Sequence, residues 1–168
     1  PGENFMWTFL HSKIKPPIGG STNFLDLVTG YKSLSEDEIM KLQDAYLTID
    51  INEIPDFLEK IKGMNLERND FQVIMDHPIT KQKTLYLTYH TTPIRKIQNK
   101  EPIGLHGVEI IEKLLKRVGQ YEHNWEHGDL VIWDNYQVMH RAGGGYVDHP
   151  RMLLRAETRM DLSGKLGI

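Results

Sequence analysis

The sequence predicts one mainly β domain over residues 1–168, a β-sandwich or jelly roll with helical insertions. Two observations indicate this class. β-rich runs lie near both ends of the chain, at 5–11 and 151–159, and two amphipathic helix patterns lie between them, at 35–49 and 105–118. Strands and helices do not alternate as they would in a parallel α/β sheet. A length of 168 residues fits a single domain.

The first strand is predicted at Phe5–His11, which is rich in aromatic and apolar residues and is followed by a proline pair. The stretch Pro16–Gly20 cannot continue regular structure, so we expect a turn there. The segment Ser21–Phe24 then resumes an extended conformation.

Helices are predicted in the middle of the chain. Ser35 and Glu38 form a capping box, and the apolar face of this first helix comprises Ile39, Leu42, Tyr46 and Ile49. A short helix is expected at Pro55–Lys62, where Gly63 stops it. The apolar face of the last helix, which Gly119 closes, comprises Leu105, Val108, Ile111, Leu115 and Val118.

Further strands are predicted on both sides of the last helix. Phe71–Met75 and Thr84–Tyr89 are β-rich and flank a hairpin loop at His77–Gln82. The apolar run Leu130–Trp133 follows a turn at Trp125–Asp129 and is expected to be a buried strand.

The composition excludes several classes of protein. Hydrophobic residues make up 39% and charged residues 26%, which is typical of a globular chain. A net charge of -3 argues against a nucleic-acid partner, and no apolar run approaches the roughly 20 residues of a membrane span. The absence of cysteine and of a secretory signal pattern predicts a cytoplasmic protein that binds a small ligand.

Two arginines four residues apart lie on one face of the last predicted strand. Arg151 and Arg155 are separated by about 13 Å at a rise of roughly 3.3 Å per residue. A guanidinium offers a planar fork of donors, so two of them at different depths of a cavity could hold two carboxylates. The alternative is a solvated, charged strand face, and the strand pattern alone favours it.

His140 lies between the apolar run and these arginines. A lone histidine is usually structural or exposed, so the residue by itself indicates no metal. His127-Gly128-Asp129 fits a His-x-Asp string, but such short patterns arise by chance. The other histidines are predicted to be exposed or in turns: His77, a turn residue, and His106, His123 and His149, all exposed.

Four stretches together resemble the TauD/TfdA family of Fe(II)- and 2-oxoglutarate-dependent dioxygenases. They are PPIGGSTNFLDLVTGYKSLSEDEIMKLQ, DHPITKQKTLYLT, GDLVIWDNYQVMHRA and GGGYVDHPRMLLRAE, and they follow the family's order along nearly the whole chain. The resemblance implies a double-stranded β-helix, or jelly roll, and a site that binds Fe(II) and 2-oxoglutarate.

The resemblance also assigns expected roles to individual residues. His140 matches the family's distal iron-binding histidine, which makes it the catalytic and metal-binding candidate, and Arg151 matches the arginine that binds the far carboxylate of 2-oxoglutarate. Thr22 matches a threonine that supports the same carboxylate. Arg155 and His90 match substrate-facing positions, so the primary substrate is expected to be a small, anionic organic molecule.

The chain departs from the family pattern in two places. Ser21 stands where an acidic residue is common, which should alter local hydrogen bonding. The family's other two iron ligands come from a His-x-Asp pair upstream of the stretch that Pro1 resembles. We therefore expect the chain to be the C-terminal portion of the family's full domain, with an incomplete N-terminal part.

The resemblance implies an enzyme that hydroxylates its substrate with O2 and releases succinate and CO2. An alternative is a jelly-roll carboxylate-binding protein or pseudoenzyme without iron. A third is a sugar- or partner-binding β-sandwich, in which His140 and Arg151 would point away from each other. The sequence is also compatible with a homo-oligomer.

Overall fold

The computed structural model describes residues 5–49, 69–89, 93–160 and 166–167. In chain order its elements are β1 (Phe5–Ile14), β2 (Thr22–Asp26), α1 (Leu27–Lys32), α2 (Glu36–Leu42), β3 (Ala45–Ile49), β4 (Asn69–Gln72), β5 (Ile74–Asp76), β6 (Lys83–Leu85), β7 (Arg95–Lys96), α3 (Gly107–Val118), β8 (Tyr121–His123), β9 (Leu130–Asp134), β10 (Val138–Ala142), β11 (Met152–Met160) and β12 (Leu166–Gly167). The predicted helix at Pro55–Lys62 lies outside the described residues. No helix in the described part is long and apolar enough to cross a membrane.

The strands form antiparallel sheets. Sheet A has the strand order β12-β11-β1-β9, sheet B has β10-β2-β8, sheet C has β4-β3-β7, and β5 pairs with β6. The predominance of strands, with few helices between them, confirms the predicted mainly β class.

Sheets A and B face each other. Phe24 of β2 packs edge-on against Trp133 of β9, with ring centroids 5.2 Å apart, and Trp133 is only 6% exposed. His140 of β10 lies beside the same indole, at 4.7 Å between centroids. This face of sheet B therefore looks onto sheet A across a layer of aromatic side chains.

The opposite face of sheet B covers the main hydrophobic core. Leu25 and Met139 point to this side because they alternate with Phe24 and His140 along their strands. They meet α3, whose buried face comprises Ile110, Ile111 and Leu114. The predicted amphipathic helix and its closing residue Gly119, at φ 72°, are confirmed.

The helix predicted from the Ser35 capping box is right at its start and wrong at its end. Both hydrogen bonds of the box form, but α2 ends at Leu42. Asp44 adopts a positive φ of 54°, which a continuing helix cannot accommodate, and Ala45 then begins β3. The apolar residues assigned to a helix face at 46–49 thus belong to a strand that buries Leu47.

The predicted hairpin is confirmed, with shorter strands. β5 and β6 pair in the register Ile74↔Leu85, and the loop 77–82 connects them. A bend at the fully buried Val73 separates β4 from β5, and the second strand ends at Leu85 rather than Tyr89. Three short strands of the described part were not predicted: β7, β12 and β8, the last of which precedes the turn at Trp125–Asp129.

The strand at Leu130–Asp134 is confirmed, but its predicted burial is wrong for half of its residues. Trp133 points inward, whereas Leu130 and Ile132 are 59% and 52% exposed. Met152 and Leu154 of β11 are similarly exposed, at 49% and 52%. These four side chains define an apolar outer face on sheet A, because alternate residues of a strand point to opposite sides.

Glu38 ties α2 to α3. Its carboxylate accepts hydrogen bonds from the Ser35 backbone N–H at 2.9 Å and from Arg117 at 2.7 and 3.0 Å, and it also pairs with Lys113. The hydrogen bonds from Arg117 and then Lys113 hold the pKa of Glu38 far below its ordinary value of 4.5. The folded state therefore favours the ionised carboxylate.

We predict that Glu38→Gln destabilises the fold by roughly 1 kcal/mol at pH 7, because the capping bond and two ion pairs are weakened. The stabilisation is present above the unfolded-state pKa, near 4.5, and is lost as the pH falls below it. Urea unfolding should show the difference from wild type shrinking below pH 4.5. Glu36→Gln, in the same helical turn with no such pairs, is the control, and equal effects of the two variants would contradict this role.

Candidate active site

His140 projects from β10 into the space between sheets A and B. Its ring lies 4.7 Å from that of Trp133 on the facing sheet and 6.5 Å from that of Phe24, measured between centroids. Neither ring nitrogen has a hydrogen-bond partner within residues 5–49, 69–89 and 93–160, and the residue is exposed along one side. An imidazole held by aromatic contacts with its nitrogens unengaged is suited to ligate a metal.

Charges on β11 influence this imidazole. Desolvation by the surrounding protein, and then the positive charge of Arg155, lower the pKa of His140, while the Glu157 carboxylate partly opposes them. The lowered pKa favours the neutral imidazole, which is the form that coordinates metals.

Arg155 forms an ion pair within its own strand. Its guanidinium pairs with Glu157 on the same face, and Glu157 Oε1 also accepts a hydrogen bond from Thr8 Oγ1 at 3.2 Å. In the register of β1 and β11, Arg155 lies opposite Leu10 and Glu157 opposite Thr8. No role was predicted for Glu157, because the sequence pattern of this strand indicated a site for carboxylates, which arginines bind and an acidic residue does not.

Arg151 reaches from the start of β11 towards sheet B. Its Nε donates to the carbonyl oxygen of Gly20 at 3.0 Å, just before β2, and its guanidinium carbon lies 5.3 Å from the centroid of the Tyr146 ring. The terminal amino groups of Arg151 have no acceptor among the described residues, so they are available to a carboxylate. Arg151 thus links the residue just before β11 of sheet A to the segment just before β2 of sheet B.

Thr22 follows two residues after Gly20, whose carbonyl oxygen accepts the hydrogen bond from Arg151. It is 3% exposed, and its hydroxyl oxygen accepts a hydrogen bond from the indole N–H of Trp125 at 3.0 Å. Because the indole can only donate, the hydroxyl hydrogen of Thr22 remains free to point elsewhere. This hydrogen is therefore available to an acceptor other than Trp125.

Two glycine-containing loops meet next to Arg151. Gly20 N–H donates to the Gly144 carbonyl at 2.9 Å, and Gly143 N–H donates to that of Ser21 at 2.7 Å. A Cβ at Gly143 would lie 2.3 Å from Ser21 Oγ and 3.1 Å from the Ser21 carbonyl oxygen. The close approach fixes the segment that carries both the Gly20 carbonyl and Thr22.

The structure confirms the predicted turn at His77 and corrects the prediction for His123. His77 is in the predicted turn, where its Nδ1 accepts from the Ile79 and Thr80 backbone N–H groups, but it is 1% exposed and its Nε2 is 2.8 Å from Asp134 Oδ2. His123 was predicted to be exposed, yet only 17% of its side chain is, because it packs at 4.5 Å against Trp125 and bonds Asp129.

The buried His77 anchors the turn that leads into β10. Because Nδ1 accepts two backbone bonds, the proton lies on Nε2 and is donated to Asp134. Asp134 also accepts from the backbone N–H of Tyr136, whose carbonyl accepts from Thr84. The strand bearing His140 is thereby tied to the β5–β6 hairpin.

The described residues supply only part of a metal site. No three His, Asp or Glu side chains converge on one point within residues 5–49, 69–89, 93–160 and 166–167. In the string His127-Gly128-Asp129, His127 is exposed and bonds the Lys13 carbonyl, while Asp129 accepts from the Glu126 backbone N–H. His90 lies outside the described residues.

Two facing antiparallel sheets, with His140 of one packed against Trp133 of the other, are typical of a jelly-roll protein. The family model for "Taurine catabolism dioxygenase TauD, TfdA family" matches residues 5–156. The chain belongs to the TauD/TfdA family, as the sequence motifs predict.

Named relatives support this membership. The chain is 28% identical over 161 residues to the alpha-ketoglutarate-dependent 2,4-dichlorophenoxyacetate dioxygenase of Cupriavidus pinatubonensis, covering 92% of this chain and 55% of the relative. It is 25% identical over 161 residues to the alkylsulfatase of Acinetobacter baylyi, covering 88% and 50%. The chain therefore spans about half the length of the curated relatives it matches.

Solved structures share the fold. A candidate alpha-ketoglutarate-dependent 2,4-D dioxygenase from Burkholderia xenovorans superimposes with a TM-score of 0.80 at 25% identity, over 99% of this chain and 66% of that one. AAD-2, solved with Mn(II) and N-oxalylglycine, gives a TM-score of 0.76 at 23% identity, over 94% and 64%. The predicted jelly roll is confirmed.

We predict that Gly143→Ala destabilises the chain by about 1–3 kcal/mol, because the new methyl group would displace Ser21. Gly144→Ala is the matched control: a Cβ there meets nothing within 4 Å, so a change under about 0.5 kcal/mol is expected. Urea midpoints of the two variants measure the difference. Equal midpoints would contradict the close contact between the loops.

Proposed function

We propose that the whole protein is an Fe(II)- and 2-oxoglutarate-dependent dioxygenase that hydroxylates a small organic substrate and releases succinate and CO2. The observation that carries this proposal is a pair of contacts: His140 of β10 packs against Trp133 of the facing sheet, and Arg151, just before β11, bonds the segment that leads into β2. Its family membership supports the reaction class. In the alternative, a sugar- or partner-binding β-sandwich, these two residues would point away from each other.

Arg151 and Thr22 are proposed to hold the distal carboxylate of 2-oxoglutarate. The guanidinium is oriented by the Gly20 carbonyl and the Tyr146 ring, which leaves its terminal amino groups as a fork for two carboxylate oxygens. Thr22 can add one hydroxyl hydrogen bond, since its oxygen already accepts from Trp125. Both residues are preorganised by neighbours, so little side-chain freedom is lost on binding.

His140 is proposed as one metal ligand. It fits the role because its pKa is lowered, its ring nitrogens have no hydrogen-bond partner among the described residues, and its ring contacts that of Trp133. An iron site of this class needs a second histidine and a carboxylate, which the described residues do not bring to it. The bound metal supplies oxygen activation, while the protein orients the keto acid and substrate.

The finer assignments extend this proposal. Arg155 is proposed to contact an anionic substrate, and His90 to lie near it. The partners of the protein are proposed to be that substrate and O2. The proposal is compatible with a homo-oligomer. The absence of cysteine supports a cytoplasmic location.

We predict that His140→Ala abolishes the visible absorption band that Fe(II) and 2-oxoglutarate produce anaerobically, and with it succinate release. The protein should be purified from its complete reading frame. His127→Ala serves as the control, because within the described part of the chain this exposed imidazole bonds only the Lys13 carbonyl. A full band in the His140 variant would refute its role as a ligand, and no band in the wild type would favour a carboxylate-binding protein without iron.

We predict that Arg151→Gln raises the Kd for 2-oxoglutarate by about 10- to 100-fold, because a charge-assisted hydrogen-bonded pair is worth a few kcal/mol. Calorimetric titration of the keto acid measures this change. Arg95→Gln is the control, since Arg95 bonds the Lys100 carbonyl on an exposed loop. An unaltered Kd in the Arg151 variant would remove this residue from the keto-acid site.

A further inference from the structure

We propose that the primary substrate is zwitterionic, with an acidic group bound by Arg155 and an ammonium group bound by Glu157. This inference rests on the proposed function, because it assigns the substrate class of the same site. It goes beyond the expectation of a simple anion by giving Glu157 a role as a specificity-determining residue.

The first step is that Arg155 already has a counter-charge. Its guanidinium pairs with Glu157 on the inner face of β11, so the two side chains together carry no net charge. An anion that bound Arg155 alone would have to compete with this carboxylate. It would also leave Glu157 unpaired next to a second negative charge, which is unfavourable where water is partly excluded.

The second step is that Glu157 is fixed from behind. The Trp133 indole N–H donates to Asn135 Oδ1 at 2.9 Å, the Asn135 amide donates to Thr8 Oγ1 at 2.8 Å, and Thr8 donates to Glu157. Thr8 is fully buried, so this chain of hydrogen bonds has little freedom to rearrange. The carboxylate is therefore a preorganised acceptor.

The third step is that Arg155 is the more exposed partner. Its side chain is 54% exposed whereas that of Glu157 is 20% exposed. A zwitterion can turn the guanidinium towards its own acid and place its ammonium against the fixed carboxylate. One internal ion pair is then replaced by two with the substrate, and no charge is left uncompensated.

The position of the pair connects it to the candidate metal ligand. Trp133 begins the hydrogen-bond chain to Glu157, and the ring of the same residue lies 4.7 Å from that of His140. Along the strands, Trp133, Thr8 and Glu157 form one cross-strand row on the inner face of sheet A. The ammonium of the substrate would thus be bound on the side of the space where His140 lies.

The test compares acids that differ only in an amine. β-Alanine and propionate, 4-aminobutyrate and butyrate, and 6-aminohexanoate and hexanoate are titrated calorimetrically into the protein from its complete reading frame, with 2-oxoglutarate saturating. At one chain length at least, wild type should bind the amino acid 10-fold or more tightly than its partner. Equal binding, or no binding, at every length would overturn the proposal.

Variants assign the preference to Glu157. Glu157→Gln should reduce the preference for the amine at least 5-fold, and Thr8→Val should reduce it less, because only the supporting hydrogen bond is lost. Glu122→Gln, on an exposed position of β8, is the matched control and should keep it. A preference that survives in Glu157→Gln would contradict the assignment.

The two proposals fail separately. Keto-acid binding and the visible band are measured on the wild type without any of these acids. If both are present but no amine preference is found, only the zwitterion is refuted. If both are absent, the proposed dioxygenase is refuted, whatever the acids bind.

Discussion

The packing of Trp133 between sheets A and B is the constraint on which the site depends. Phe24 and His140 from one sheet meet this indole from the other, and the buried ring sets how closely the sheets approach. Aromatic pairs of this kind contribute both buried apolar area and a preferred geometry. The same side chain positions an imidazole on one edge and begins a polar hydrogen-bond chain on the other, so packing and chemistry share one residue.

Sheet B separates two different environments. One of its faces covers an apolar core with α3, where Leu25 and Met139 lie. The other carries Thr22, Phe24 and His140 towards the polar side chains of sheet A. The two faces differ because successive side chains of a strand point to opposite sides of the sheet. The core gives the sheet its rigidity, and the rigid sheet holds the site residues in fixed positions.

The positions of the strands and the order of the motifs predicted the jelly roll. Local patterns could not show where tertiary contacts override them. The helix pattern continued past Leu42 because apolar spacing at 46–49 fits either period, and Asp44 ended it. Burial of His77 depends on Asp134, which is far away in sequence, so no local signal could reveal it. The pairing of Arg155 with Glu157 could have been read from their spacing of two in the strand.

The contact between the loops around Gly19 and Gly143 limits which substitutions these positions can accept. At Gly19, which has φ 67°, an added Cβ would lie 2.6 Å from the Gly144 carbonyl oxygen, so any side chain there meets backbone that cannot swing aside. Every missense change in a glycine codon introduces a Cβ. Gly19 and Gly143 are therefore positions where almost no other residue can be accommodated. At Gly144, by contrast, an added Cβ meets nothing within 4 Å, so other residues can be accommodated.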